Sequence, residues 1–311
     1  MLGILAARRL LLVTLARRKW NALAVRLGLA RRPTGCLRVA LTGPSSGIGQ
    51  ACMELLKDYP GVLVTPIGRK VTPPTGIQVD LTDGSAVRRG VFELISKWYT
   101  SSQDPSDGHD IFINNAGVFT ACHNSHVWET NVVAPCFMTE MLSSMHESLH
   151  IKGRSLRFVQ VTSRLEKRSS LDKTTVRSVA SAELYGRDSN QSVNIYADTK
   201  RALLLHTAYM SSTHRGQISN VAVTPGMVNT SLGKSSVSRL LWYISAPFRF
   251  VLLRHPIEGA VAVLYAAFSY PGENGIYVDG SDEIMERISD TRDTEAGKIV
   301  SEIVNLHFNI V

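Results

Sequence analysis

LRVALTGPSSGIG, residues 37–49, decides the fold. Its first six residues, Leu37 to Thr42, form a short apolar run of strand length. A helical pattern follows over residues 48–59. Between the two, Gly43 permits a tight turn. Gly47 lets the backbone approach a pyrophosphate, and Gly49 lets the helix pack on the sheet. Thr42, Ser45, Ser46 and Ile48 complete the turn. Free N–H groups and the dipole at the helix start favour an anion there. A plain structural turn is the competing reading. The position between strand and helix favours a dinucleotide site.

The same alternation continues outward from this turn. Strand-length apolar runs recur at residues 62–67, 76–80, 110–114, 157–162, 218–224 and 275–278, and helical patterns at 85–99, 127–149 and 195–211. Short apolar strands between longer helices imply an α/β protein: a single Rossmann-type, doubly wound parallel sheet of about seven strands with helices on both faces. The link KVTPPT, residues 70–75, is too short and proline-rich for a crossover helix. That side of the sheet should be trimmed.

The chain has 311 residues, 44% of them hydrophobic, enough for one large core. Net charge is +8, but nine of the 34 cations lie in residues 1–38 with none of the 26 anions. The rest of the chain is therefore close to neutral, which argues against a nucleic-acid partner. Three units follow: a basic targeting or membrane-surface segment (1–36), a catalytic domain (37–280) and a C-terminal helical tail (281–311). The first segment reads as a mitochondrial transit peptide, a basic helix lying on a membrane such as the endoplasmic reticulum, or a disordered tail. Cys36, Cys52, Cys122 and Cys136 form no disulfide framework. Cys122, His123, His126 and Cys136 match no zinc spacing, so no metal is expected.

Five motifs in order resemble the short-chain dehydrogenase/reductase family. TGPSSGIG resembles its TGxxxGIG loop, and Asn114-Asn115-Ala116-Gly117 its NNAG stretch. Ser163 follows the fifth strand, Tyr196 and Lys200 form YxxxK, and Pro225-Gly226 follows the sixth strand. TPGMVNTSL, HPIEGAVAVLYAAFS and NGIYVDG are similar to the retinol-dehydrogenase-like branch. The resemblance implies that Ser163, Tyr196, Lys200 and Asn131 are catalytic, Asn131 by holding a water. It implies cofactor contacts at the glycine turn, Asp80, Leu81, Asn115, Ala116, Gly117, Tyr196, Lys200, Pro225, Gly226, Val228 and Thr230. The second strand ends Gly68-Arg69-Lys70 without an acid, so Arg69 should meet a 2′-phosphate and select NADP(H) over NAD(H).

Tyr196 and Lys200 stand four apart on a helix and share a face. Lysine and an oxidised nicotinamide should pull the phenol down from its ordinary pKa of about 10. Tyr196 would then exchange a proton with a carbonyl or alcohol of a small, apolar substrate. Residues 164–194 form a long insertion, which leaves Ser169, Ser170 and Ser181 as fallbacks for Ser163. Residues 235–253 carry many large apolar side chains and read as a lid over the substrate, with core, a contact with a second copy in a homodimer and a membrane-touching face as the alternatives. A non-catalytic dinucleotide sensor or scaffold is the alternative function.

Overall fold

A computed structural model of the chain describes residues 2–32, 37–99, 108–119, 124–149, 153–185, 192–214, 216–229, 253–269, 272–280, 284–288 and 291–310. Seven strands run parallel: β1 (Leu37–Thr42), β2 (Val62–Gly68), β3 (Ile77–Gln78), β4 (His109–Asn114), β5 (Ser155–Val161), β6 (Ile218–Thr224) and β7 (Ile276–Asp279). An eighth, β8 (Ile284–Arg287), pairs antiparallel with β7, and the order is β3-β2-β1-β4-β5-β6-β7-β8. The Rossmann-type sheet is as expected, with one more edge strand. Four residues carry too little periodicity to reveal such a strand in the sequence.

Both faces of the sheet are covered, which is why its strands read as mostly apolar runs without polar alternation. All six residues of β1 are buried. Helices α1 (Leu2–Arg26) and α2 (Gly47–Leu56) lie on one face. Helices α3 (Gly84–Tyr99), α4 (Asn124–Trp128), α5 (Ala134–Ser148), α6 (Val176–Tyr185) and α7 (Ser192–Thr213) lie on the other. Helix α8 (Pro256–Phe268) joins α1 and α2, and α9 (Thr291–Ile310) joins the opposite group. A capping box starts α8: the His255 ring accepts from Ile257 N–H, and Glu258 accepts from His255 N–H. The link from β2 to β3 is a turn, and β3 is two residues long, so that edge is trimmed as expected.

The two terminal segments are not separate from the body. Ala16, Trp20, Leu23 and Ala24 of α1 recur at helical spacing and are buried against α2 and α8. The Trp20 ring meets Tyr59 edge-on at 5.8 Å and Phe268 at 6.0 Å, and its Nε1–H donates to Leu55 O at 3.1 Å. At the other end, β8 extends the sheet and α9 buries Ala296, Val300, Val304 and Phe308. Phe308 stacks on Phe137 with ring centroids 3.5 Å apart. The acid-free cations of residues 1–36 read as a separate segment, whereas the narrow apolar stripe beside them fixes α1 to the body.

Truncating Trp20 therefore opens a cavity between three helices. Trp20→Ala should lower unfolding free energy by about 3–5 kcal/mol, read from urea melts of the full chain. A loss below 1 kcal/mol would mean that α1 is not part of the cooperative fold.

Candidate active site

The strand order reverses between β1 and β4, which opens a crevice beyond their carboxyl ends. The glycine turn leaves β1 at this point. Gly43 and Gly47 have φ of 69° and 57°, the left-handed region that glycine tolerates. A Cβ on Gly49 would sit 2.1 Å from Gly43 O, so the helix start folds tightly against the turn. Ser45 and Ser46 are exposed, and Ser46 caps α2 without a hydrogen bond from its side chain.

Four residues expected at the cofactor do structural work here. Thr42 is buried, and its Oγ1 accepts from Asn115 N–H and Ala116 N–H, both at 3.0 Å. The Asn115 side-chain amide donates to Thr42 O at 3.0 Å and Gly43 O at 3.3 Å. Ile48 and Val228 pack at Gly259 of α8, where an added Cβ would meet both. These side chains shape the crevice from behind. Asn114 likewise turns away, donating to Thr139 Oγ1 at 3.2 Å.

Arg69 is exposed at the end of β2, beside the glycine turn: a Cβ on Gly68 would lie 3.3 Å from Pro44 Cδ. Asp80 accepts from Thr82 N–H at 3.1 Å and Thr82 Oγ1 at 2.9 Å. Burial pulls the Asp80 pKa up, but these bonds and the charges of Arg69 and His126 outweigh it, leaving the carboxyl below its ordinary value. Leu81 packs against the core below.

A second group of residues meets on α7. Tyr196 and Lys200 are both buried, and the ammonium lies 5.7 Å from the phenol ring centroid. Ser163 lies two residues beyond β5, caps a 3-10 turn over Arg164–Arg168 and hydrogen-bonds to Tyr196. Of the fallback serines, Ser169 is engaged with Asp198 at 2.6 Å. Lys200 Nζ donates to Val161 O at 2.8 Å, and a Cβ on Gly117 would lie 3.6 Å from it. Ala116, in turn, abuts Gly43. A continuous line of contacts thus joins the glycine turn to the Ser163–Tyr196–Lys200 group.

Asn131 sits in a π-helical turn, Glu129–Val133, between α4 and α5. Such turns recur at functional sites. Its Nδ2 donates to Val118 O at 3.0 Å and Thr199 Oγ1 at 3.1 Å, and its Oδ1 accepts from Val118 N–H at 2.8 Å. The side chain brackets the 115–118 loop to α7, with both of its amide hydrogens spent on protein.

Sequence reading missed four residues that build the site. Thr199 receives Asn131, and Phe119 stands edge-on to Tyr196 at 5.2 Å. Arg254 pairs across from Val228 and packs at Gly226, whose φ is 81°. Arg201 ties the site to α9, with Asp293 at 2.6 Å and the buried Glu166 at 3.9 Å. Only its place next to Lys200 hinted at a role. Pro225 is buried where β6 ends. Thr230, most of the expected lid at 235–253, Cys36, Cys122 and His123 lie outside the described residues.

Electrostatics set the resting state of the group. Burial pushes the Tyr196 phenol up to about 12, against the opposing Ser163 hydrogen bond. Burial pulls the Lys200 ammonium down to about 8. With no cofactor beside it, desolvation outweighs the Ser163 hydrogen bond and leaves the phenol above its ordinary value. At pH 7 the group holds a neutral phenol and a charged lysine, a proton donor beside a hydroxyl that can orient a substrate oxygen.

No family model and no curated protein matches the chain. Solved structures do. It is similar to the 3-alpha-hydroxysteroid dehydrogenase from Pseudomonas sp. B-0831 complexed with NADH, at 22% identity and a TM-score of 0.56. That alignment covers 78% of this chain and 95% of the other. It is similar to the NADPH-bound carbonyl reductase from chicken fatty liver at 17% identity and a TM-score of 0.57, covering 83% and 96%. It is also similar to the 3-ketoacyl-(acyl-carrier-protein) reductase from Brucella melitensis complexed with NADH, at 20% identity and 0.56, covering 80% and 98%. At these identities the likeness shows a shared Rossmann-type fold.

The buried lysine carries a testable cost. Its folded pKa of about 8 lies below the ordinary 10.5, so between these values the unfolded chain binds more protons. The penalty is whole below pH 8, and stability from this group rises as pH climbs from 8 toward 10.5. Lys200→Met should raise the melting temperature of the free chain at pH 7 and remove that rise. A lower melting temperature at pH 7 would show the ammonium to be a net stabiliser.

Proposed function

We propose that the chain is an oxidoreductase of the short-chain dehydrogenase/reductase type that interconverts a carbonyl and an alcohol with NADP(H). One observation carries the reading: Ser163, Tyr196 and Lys200 converge at a dry site linked by contact to a glycine turn. The names of the structural neighbours support the same class of chemistry. TPGMVNTSL and HPIEGAVAVLYAAFS support the retinol-dehydrogenase-like branch within that family.

The residues fit a dinucleotide. A Cβ on Gly43 or Gly49 would collide with the chain's own backbone, so these glycines set the tight geometry of the turn from which α2 starts. The start of α2 faces the crevice with exposed Ser45 and Ser46, where free N–H groups suit a pyrophosphate. Arg69 supports a 2′-phosphate, which its guanidinium grips with two hydrogen bonds. A bound nicotinamide supplies or accepts the hydride at the substrate carbon. Tyr196 Oη holds the proton that the substrate oxygen takes up on reduction. Ser163 Oγ orients that oxygen and stabilises its developing charge. Lys200 keeps a positive charge beside the phenol at neutral pH, easing loss of its proton. The Phe119 ring against Tyr196 supports a substrate with an apolar body.

The test is NADPH oxidation by the full chain with a panel of apolar aldehydes, ketones and quinones. Tyr196→Phe should lower kcat at least about 100-fold with the cofactor Kd unchanged. Unaltered turnover in that variant would remove Tyr196 from the chemistry. Binding of NADPH without turnover on any carbonyl would favour the sensor or scaffold reading.

Cofactor choice is tested separately. Arg69→Asp should weaken NADPH binding and improve NADH binding by removing a cation and adding repulsion. Equal affinity of the unaltered chain for both cofactors would refute the role of Arg69.

A further inference from the structure

Helix α1 has two faces, and the fold uses one. Ala16, Trp20, Leu23 and Ala24 point into the body. On the opposite side Leu11, Leu15 and Val25 are 58%, 44% and 81% exposed. At 100° per residue these three share one sector with Ala22 and Arg18. Arg8, Lys19 and Arg26 are exposed along one border of that sector. Large apolar side chains turned to water on a packed helix mark a contact surface.

Charge says what the contact is. The chain has no acid before Glu54, so every charge that α1 itself carries in or beside its outward apolar stripe is a cation. That pairing is complementary to a bilayer surface bearing anionic lipid: apolar side chains enter the acyl boundary, and cations meet the headgroups. No described helix is long and apolar enough to cross a membrane, so α1 would lie along the surface. The inner face bears on a second question. Cleavage after residue 26 would strip Trp20 and Leu23 from Tyr59 and Phe268 and bare the core beneath.

We propose that α1 is retained in the working protein and docks it on an anionic lipid surface through Leu11, Leu15 and Val25, with Arg8, Arg18 and Arg26 as the ionic contacts. The proposal is independent of the oxidoreductase reading, because it uses no residue of that site.

Co-sedimentation of the full chain with vesicles tests it. Phosphatidylcholine containing about a third phosphatidylglycerol should bind at least about tenfold more protein than phosphatidylcholine alone, and salt should weaken the binding. Leu11→Glu with Leu15→Glu should abolish it, and Arg8→Glu with Arg26→Glu should lower it about tenfold. Both pairs are exposed, so their melting curves should match that of the unaltered chain. Absent binding to the anionic vesicles, or equal binding by the variants, overturns the proposal. So does a concentration-dependent dimer that Leu11→Glu dissolves, since the stripe would then be an interface between copies. Mass spectrometry of the protein recovered from expressing cells gives a second readout. An N-terminus that includes Trp20 is expected, and one beyond it refutes retention.

Discussion

The Thr42 hydroxyl accepts two backbone N–H groups from the strand end beside it, and the mouth of the fold is built on that tie. Parallel strands β1 and β4 pair as far as Leu41 and Ile113, while Thr42 stays paired with Ile67 and Asn114 with Gln160 on their outer sides. Beyond that point the gap between the two strands is bridged by side chains. Thr42 closes it from one side, and the Asn115 amide closes it from the other through Thr42 O and Gly43 O. The result fixes Gly43 against Ala116 and Gly49 against Gly43 within tight limits. A crevice for a long, charged ligand needs this rigidity more than it needs another donor pointing outward.

That tie also explains what could be read in advance. Strands β1, β4, β5 and β6 are covered on both faces, so each is rich in apolar residues, broken by a few buried polar ones such as Arg38, Asp110, Arg157 and Asn220. The glycine turn is legible because backbone closeness leaves only one residue type. Roles behind the crevice were less legible. Thr42, Asn115 and Asn131 stand in motifs, but a motif records that a residue is required, not which way it points. The π turn at Asn131 adds one residue to a helix and leaves no compositional trace. Arg254 reaches Gly226 from 28 residues along the chain. Nothing local announces it.

The site breaks rules that the rest of the chain obeys. A buried ammonium is unfavourable in a core, and it stands beside a buried phenol that desolvation keeps neutral. The surrounding sheet tolerates them because its strands are fixed by their own neighbours. Arg201 adds a local restraint: it joins Asp293 of α9 to Glu166, in the turn that Ser163 caps. Burial raises the Glu166 pKa and Arg201 opposes the rise, so the carboxyl is held in a dry place by its partner. Ser163 and Lys200 lie at the two ends of this bridge, one capping the turn and the other preceding Arg201.

Helix α9 turns that local restraint into a global one. It crosses α7 and α5, stacks Phe308 on Phe137, and is pinned to the long insertion by Lys173–Glu295 at 2.6 Å and Arg177–Glu302 at 2.5 Å. The two pairs are half exposed, so each contributes little by itself. Their placement matters more than their strength, because they fasten residues 173–177 to the same helix that holds Arg201. The described part of the insertion, residues 164–185, is thereby held over the core. The apolar faces of α5 and α7 are filled by the chain's own C-terminal helix.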